Sequence, residues 1–144
     1  MNAYEYSISL RVFHPNLEPT AITQQMGLEP KRAWKAGNSR MTPKGTRLEG
    51  VYRESYWVTQ LVPDDEDSSK KMPLEECLDE LVRRLNASKE FFARIRAEDG
   101  RVELFIGMFG AKNFGFELSP SLLASVEALG LTLHFDIYPN SQNW

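Results

Sequence analysis

Apolar and polar residues alternate from Tyr4 to Phe13, with Tyr4, Tyr6, Ile8, Leu10 and Val12 on one face and Glu5, Ser7, Ser9 and Arg11 on the other. A period of two is that of a β-strand with one face buried. His14-Pro15-Asn16 ends the pattern. Pro19, Ile22, Met26 and Gly27 then mark a short helix, with proline in its first turn and glycine closing it. Pro30, Gly37, Pro43, Gly45 and Gly50 punctuate residues 28 to 50, so any strand there is short, and one is expected around Arg32 to Lys35. Alternation returns from Val51 to Val62 and predicts a longer strand, with Ser55, Trp57, Thr59 and Leu61 on one face and Tyr56, Val58, Gln60 and Val62 on the other. The pattern leaves open which of these faces is buried.

Pro63 and the run from Asp64 to Lys71 are too polar to bury and predict an exposed connection. The period then changes to that of a helix. Leu74, Cys77, Leu78, Leu81, Val82 and Leu85 form one stripe between Pro73 and Asn86, with Glu75 and Glu76 early and Arg83 and Arg84 late, as the helix dipole favours. Ser88 predicts the cap of a second helix carrying Phe91, Phe92 and Ile95, and Asp99-Gly100 turns into a strand with Val102, Leu104, Ile106 and Met108 on one face. Phe114-Gly115-Phe116 is expected as a short edge segment. Ser119-Pro120 opens a further helix striped by Leu122, Leu123, Val126 and Leu129, Gly130 ends it, and Leu131 to Tyr138 alternates as a last strand.

Strands that alternate, instead of running wholly apolar, point away from a parallel sheet covered on both faces. The expected fold is α+β: a single mainly antiparallel sheet with helices packed on one face, of which an elaborated ferredoxin-like sandwich is one form. A chain of 144 residues with 42% apolar and 26% charged residues is the size of one domain and can bury about two-thirds of its unfolded surface. No apolar run reaches the roughly 20 residues of a membrane helix, and the start of the chain lacks the basic leader and apolar core of a secretory signal. A cytoplasmic protein is expected. Cys77 stands alone, which excludes an internal disulfide or a cysteine-based zinc site within one chain, and its place in the apolar stripe predicts a buried, unreactive thiol.

The net charge is −3, yet residues 31 to 57 gather seven cations (Lys31, Arg32, Lys35, Arg40, Lys44, Arg47, Arg53) with Trp34, Trp57, Tyr52 and Tyr56, against only Glu49 and Glu54. Aromatic rings with arginine are the residue types enriched at binding hot spots. Trp34, Lys35, Arg40, Arg53, Tyr56 and Trp57 are therefore the candidate partner-binding residues. A purely structural role, with the tryptophans anchoring an irregular connection, competes with this, and binding of nucleic acid is a third reading, opposed by the acidic remainder of the chain.

His14 and His134 are the only histidines, which excludes a three-histidine metal site within one chain, and the His134-x-Asp136 pair reads more readily as solvent-facing polarity than as a ligand pair. The acidic run at 64 to 67 lacks the spacing of a calcium loop. Gly107-Met108-Phe109-Gly110 lacks the remainder of a phosphate or dinucleotide fingerprint. With no nucleophile elbow, cofactor or catalytic set in view, the leading expectation is a non-catalytic protein-binding domain of the kind that includes bacterial immunity proteins, whose partner is a toxin; self-association is compatible with it. The alternative is an enzyme or small-ligand binder with a pocket of Trp34, Trp57, Arg53 and Tyr56.

Several phrases occur together: Phe13-His14-Pro15, Gly27-Leu28-Glu29-Pro30, Trp34-Lys35-Ala36-Gly37, Thr42-Pro43-Lys44-Gly45, Tyr52-Arg53-Glu54-Ser55-Tyr56-Trp57, and the closing strand ending in Ile137-Tyr138. As a set they resemble the domain-of-unknown-function 4279 (DUF4279) family of bacterial proteins, over nearly the whole chain. The resemblance implies one compact bacterial domain and brings no activity, substrate or site residues.

Overall fold

The computed structural model describes residues 4–62 and 72–139. The polar connection expected at 63 to 71 lies outside them. Strand β1 (Glu5–His14) runs into helix α1 (Pro19–Met26), followed by β2 (Arg32–Trp34), β3 (Ser39–Met41), β4 (Arg47–Val51) and β5 (Ser55–Val62). Helix α2 (Leu74–Leu85) leads through a short 3-10 turn into α3 (Lys89–Ala97), then β6 (Arg101–Gly110), α4 (Pro120–Leu129) and β7 (Leu131–Pro139). The α+β architecture expected from the alternation is the one observed.

One sheet carries β2, β5, β1, β6 and β7 in that order, and β3 and β4 form a separate hairpin. β1 is antiparallel to both β5 and β6, β2 is antiparallel to β5, and only β6 and β7 run parallel. Since β5 and β6 flank β1 in the same direction, the crossover through α2 and α3 makes one interleaved β-α-β unit of a ferredoxin-like sandwich. The second such unit is β1-α1-β2, whose parallel strands lie on either side of β5, so β2, β5, β1 and β6 complete the β-α-β-β-α-β order; β6-α4-β7 then adds a strand beside its neighbour, which puts β7 at the sheet edge.

Every described helix contributes to one core. Ile22 of α1, the six-residue stripe of α2, Phe91, Phe92 and Ile95 of α3, and Leu122, Val126 and Leu129 of α4 join Tyr6, Ile8, Leu10, Val12, Trp57, Val102, Leu104, Ile106 and Met108 in a single buried cluster. Both ends of α4 follow the expected chemistry, whereas Ser88, expected as a cap, makes no side-chain cap bond at α3. The Ser119 hydroxyl accepts from the Leu122 amide at 3.2 Å, and Gly130 closes α4 at φ 66°. A side chain at Gly130 would also strike the Arg96 guanidinium, which donates to the Leu129 carbonyl at 2.8 Å and so caps the helix.

Two further expectations are corrected. The strand foreseen from Val51 to Val62 is broken at 52–54, because Tyr52 turns aside to bond the other arm of the hairpin: its carbonyl accepts from Gly37 and its amide donates to Asn38. Phe114-Gly115-Phe116 is not a strand. Its rings pack instead, Phe114 on Tyr4 at 5.2 Å and Phe116 on Phe135 at 5.4 Å, which buries apolar area that a flat edge would leave in water.

Candidate functional site

Period-two alternation gives the sheet a second face that no described helix covers. It carries Ser9, Arg11 and Phe13 from β1, Tyr56 and Val58 from β5, Glu103 and Phe105 from β6, and His134 from β7, while β2 adds Arg32 and Trp34. The β3–β4 hairpin arches over part of this face. Its base is tied to the sheet by the Ala36 amide, which donates to the Ser55 hydroxyl at 3.0 Å. A ladder of rings holds it in place: Tyr56 lies 4.6 Å from Trp34, and Trp34 stacks on Tyr52 at 4.4 Å and 10°. The Tyr52 hydroxyl ends the ladder by accepting from the Met41 amide at 3.0 Å and donating to the Met41 carbonyl at 3.1 Å.

Between hairpin and sheet lies a cleft of about 760 Å³. Its floor is Ser9, Arg11, Val58, Tyr56 and Phe105, its β2 side is Lys31, Arg32 and Trp34, and its roof is Asn38, Ser39, Met41, Thr42, Pro43 and Gly45. That volume falls within the range of small-molecule sites.

The electrostatics are uneven across the cleft. Arg11 sits opposite Glu103 in the β1–β6 register, donates from Nε to Oε1 at 2.6 Å, and approaches the same oxygen through Nη2. Glu103 is only 4% exposed, so it is the buried countercharge that fixes this guanidinium over Phe105, 4.3 Å from the ring centre. His134 approaches Glu103 from the far side, at 3.7 Å, and meets the edge of Phe105. Arg32 lies 4.8 Å over Trp34. Among the described residues, neither Lys31 nor Arg32 has a carboxylate partner. Burial pushes the Tyr56 phenol above its ordinary range, outweighing the pull of Arg11 and Arg32 towards the phenolate. It stays a neutral hydroxyl that can both donate and accept.

The structure divides the candidate residues. Trp34 and Tyr56 meet in the cleft. Trp57 does not: it is fully buried on the helix side, its Nε1 donating to the Thr23 hydroxyl at 3.0 Å. Adjacent residues of one strand point to opposite faces, so Tyr56 and Trp57 cannot share a surface. Lys35 bonds Glu18 at 2.8 Å and ties β2 to the start of α1. Arg40 and Arg53 line a different groove, about 590 Å³, with Gly50, Val51 and Tyr52. Sequence reasoning missed Arg11, Lys31, Arg32 and Phe105 as a group. Arg11 and Phe105 carry a signal, since each opposes the apolar face of its strand, but the topology that makes β1 and β6 neighbours is needed to unite them.

Elsewhere, Cys77 is buried as expected, and burial raises its thiol above the ordinary value. The Tyr138 hydroxyl donates to Asp136, which raises its pKa. Among the described residues no cluster of three histidine, cysteine or carboxylate side chains could hold a metal ion, and no helix is long and apolar enough to cross a membrane.

Comparison with curated proteins and with solved structures finds no match. The family described as Domain of unknown function (DUF4279) matches residues 4–140. That span runs from the start of β1 past the end of β7 and takes in the ring ladder, the hairpin and every residue of the cleft, so the chain belongs to the DUF4279 family.

Proposed function

We propose that this is a non-catalytic binding domain whose cleft beneath the β3–β4 hairpin takes a small anionic ligand. One observation carries the reading: Lys31 and Arg32, without described countercharges, share a concave site with Trp34, Tyr52, Tyr56 and Phe105. Concavity favours a small ligand over a flat protein partner, and a cation next to rings and hydroxyls recognises an anion attached to a polar or planar body. Lys31 and Arg32 are exposed, so the negative charge of an occupant meets them from the open side of the cleft. A lone buried thiol suits a cytoplasmic setting for this activity.

Titrating isotope-labelled protein with benzoate and with inorganic pyrophosphate tests the reading. Amide shifts should concentrate at Lys31, Arg32, Thr42 and Phe105. Shifts concentrated at Arg40 and Arg53, or spread over surface lysines, would contradict it.

A second reading has its own support in the groove beside β4. Leu48 and Val51 of that strand are 39% and 54% exposed, and Arg40 and Arg53 lie beside Val51. Apolar side chains flanked by arginine suit a protein partner, with toxin neutralisation as the specific form. On this reading Arg53→Ala weakens partner affinity by about 2 kcal/mol and leaves melting unchanged, while loss of stability in step with affinity would remove it.

A further inference from the structure

The cleft has a direction. Lys31 and Arg32 stand at its β2 side, and Phe105 with Arg11 at its β6 side. In the sheet order β2, β5, β1, β6 these ends are three strand spacings apart, about 14 Å. A bare inorganic anion fills one end only. A ligand that uses the whole cleft must be extended and chemically graded along its length.

Each part of the gradient specifies a group. At the β2 side two cations lack described countercharges, and the neutral Tyr56 hydroxyl is close by. Of the three cations lining the cleft, Glu103 offsets only Arg11, so the remaining pair matches a dianion. A phosphomonoester carries nearly two negative charges at neutral pH and accepts hydrogen bonds from lysine, arginine and hydroxyl together. In the middle, Ser9 on the floor and Asn38, Ser39 and Thr42 in the roof offer small polar groups, suited to a hydroxylated spacer. At the β6 side Arg11 is held over Phe105 with its charge already met by Glu103. A guanidinium beside an aromatic ring is a stacking surface for a planar heterocycle.

We infer that the ligand is a mononucleotide-type compound, with its phosphate on Lys31 and Arg32, its sugar beneath the hairpin, and its base against Arg11 and Phe105. The inference rests on the anionic-ligand reading above and narrows it. Glu103 is then a positioning residue: it fixes Arg11 and contacts no ligand itself.

Calorimetric titration with AMP, GMP, CMP and UMP, beside adenosine, inorganic phosphate and a short single-stranded RNA, tests it. At least one mononucleotide should bind about tenfold or more tightly than its parts, because both ends are engaged together. Phe105→Ala should lower that affinity by about tenfold or more in a protein that still unfolds cooperatively, and separately the pair Lys31→Ala with Arg32→Ala should do so with melting unchanged. Inorganic phosphate binding as tightly as every nucleotide would overturn the inference and leave the anionic-ligand reading standing. RNA binding far more tightly than any mononucleotide would also overturn it, by making the ligand a polymer. If no nucleotide, phosphate, benzoate or pyrophosphate binds, both fall.

Discussion

At the scale of single residues, the two tryptophans with structural assignments divide fold from site. Trp57 is enclosed in the core and hydrogen-bonded to Thr23, so Trp57→Ala should cost about 3 to 5 kcal/mol of stability. Trp34 is half-buried in the ring ladder, and Trp34→Ala should cost clearly less in melting while disturbing the cleft. Equal losses from the two variants in denaturant titration would contradict this division. The sequence shows both residues in one basic and aromatic segment and does not say which faces inward, because both faces of β5 carry large side chains. What it does show is that Tyr56 and Trp57 must diverge.

A second residue-scale prediction concerns alkaline pH. Burial raises the Tyr6 phenol, the Cys77 thiol and the Tyr56 phenol above their ordinary values of 10.0 and 9.0 for phenol and thiol. A group whose folded pKa is raised contributes stability that is intact below its unfolded pKa and lost as pH climbs towards the folded one. Stability measured by denaturant titration should therefore fall from about pH 9 upward. Tyr6→Phe removes the hydrogen bond to the Met72 carbonyl, costing about 1 kcal/mol near neutrality, and should flatten the alkaline decline. An unaltered decline would show that Tyr6 is not a source of it.

At the scale of elements, α2 was the most legible because its stripe, its charged ends and the proline before it agree. The β3–β4 hairpin was the least legible. Its strands are short and exposed, with burial patterns that lack an apolar period, and the turn residues around it suggested only a connection. It is held by Tyr52, whose hydroxyl makes two bonds to Met41 across the cleft roof. Tyr52→Phe keeps the stacking on Trp34 and loses those bonds. Hydrogen exchange at the Met41 amide should then accelerate, with a change in global stability of about 1 kcal/mol or less. Exchange as slow as in the parent would mean that the hairpin is fixed by other contacts.

At the scale of the whole molecule, the alternation of four strands led to an α+β fold with one covered face, and the cover is where the apolar periods place it. The elaborated ferredoxin-like form is the one the strand order shows, with β7 as its elaboration; nothing along the chain marks that the last crossover joins neighbours where the other two skip a strand. The candidate site was half legible for a related reason. Trp34 and Tyr56 lie close along the chain, whereas Arg11 and Phe105 reach them only through the β5-β1-β6 order. A chain of net charge −3 thus presents a locally positive cleft on its uncovered face, and ligand binding there should weaken as ionic strength rises.

The central claim is that this cleft binds anions and that the fold does not depend on its cations. Thermal melting of the parent and of the Lys31→Ala, Arg32→Ala double variant, without ligand and with AMP, GMP, CMP, UMP or pyrophosphate in turn, measures both parts at once. The account predicts equal melting temperatures without ligand, a rise with at least one of these anions in the parent, and none in the variant, because a ligand stabilises only a folded state that binds it. An equal rise in both proteins, or no rise in either, would contradict it.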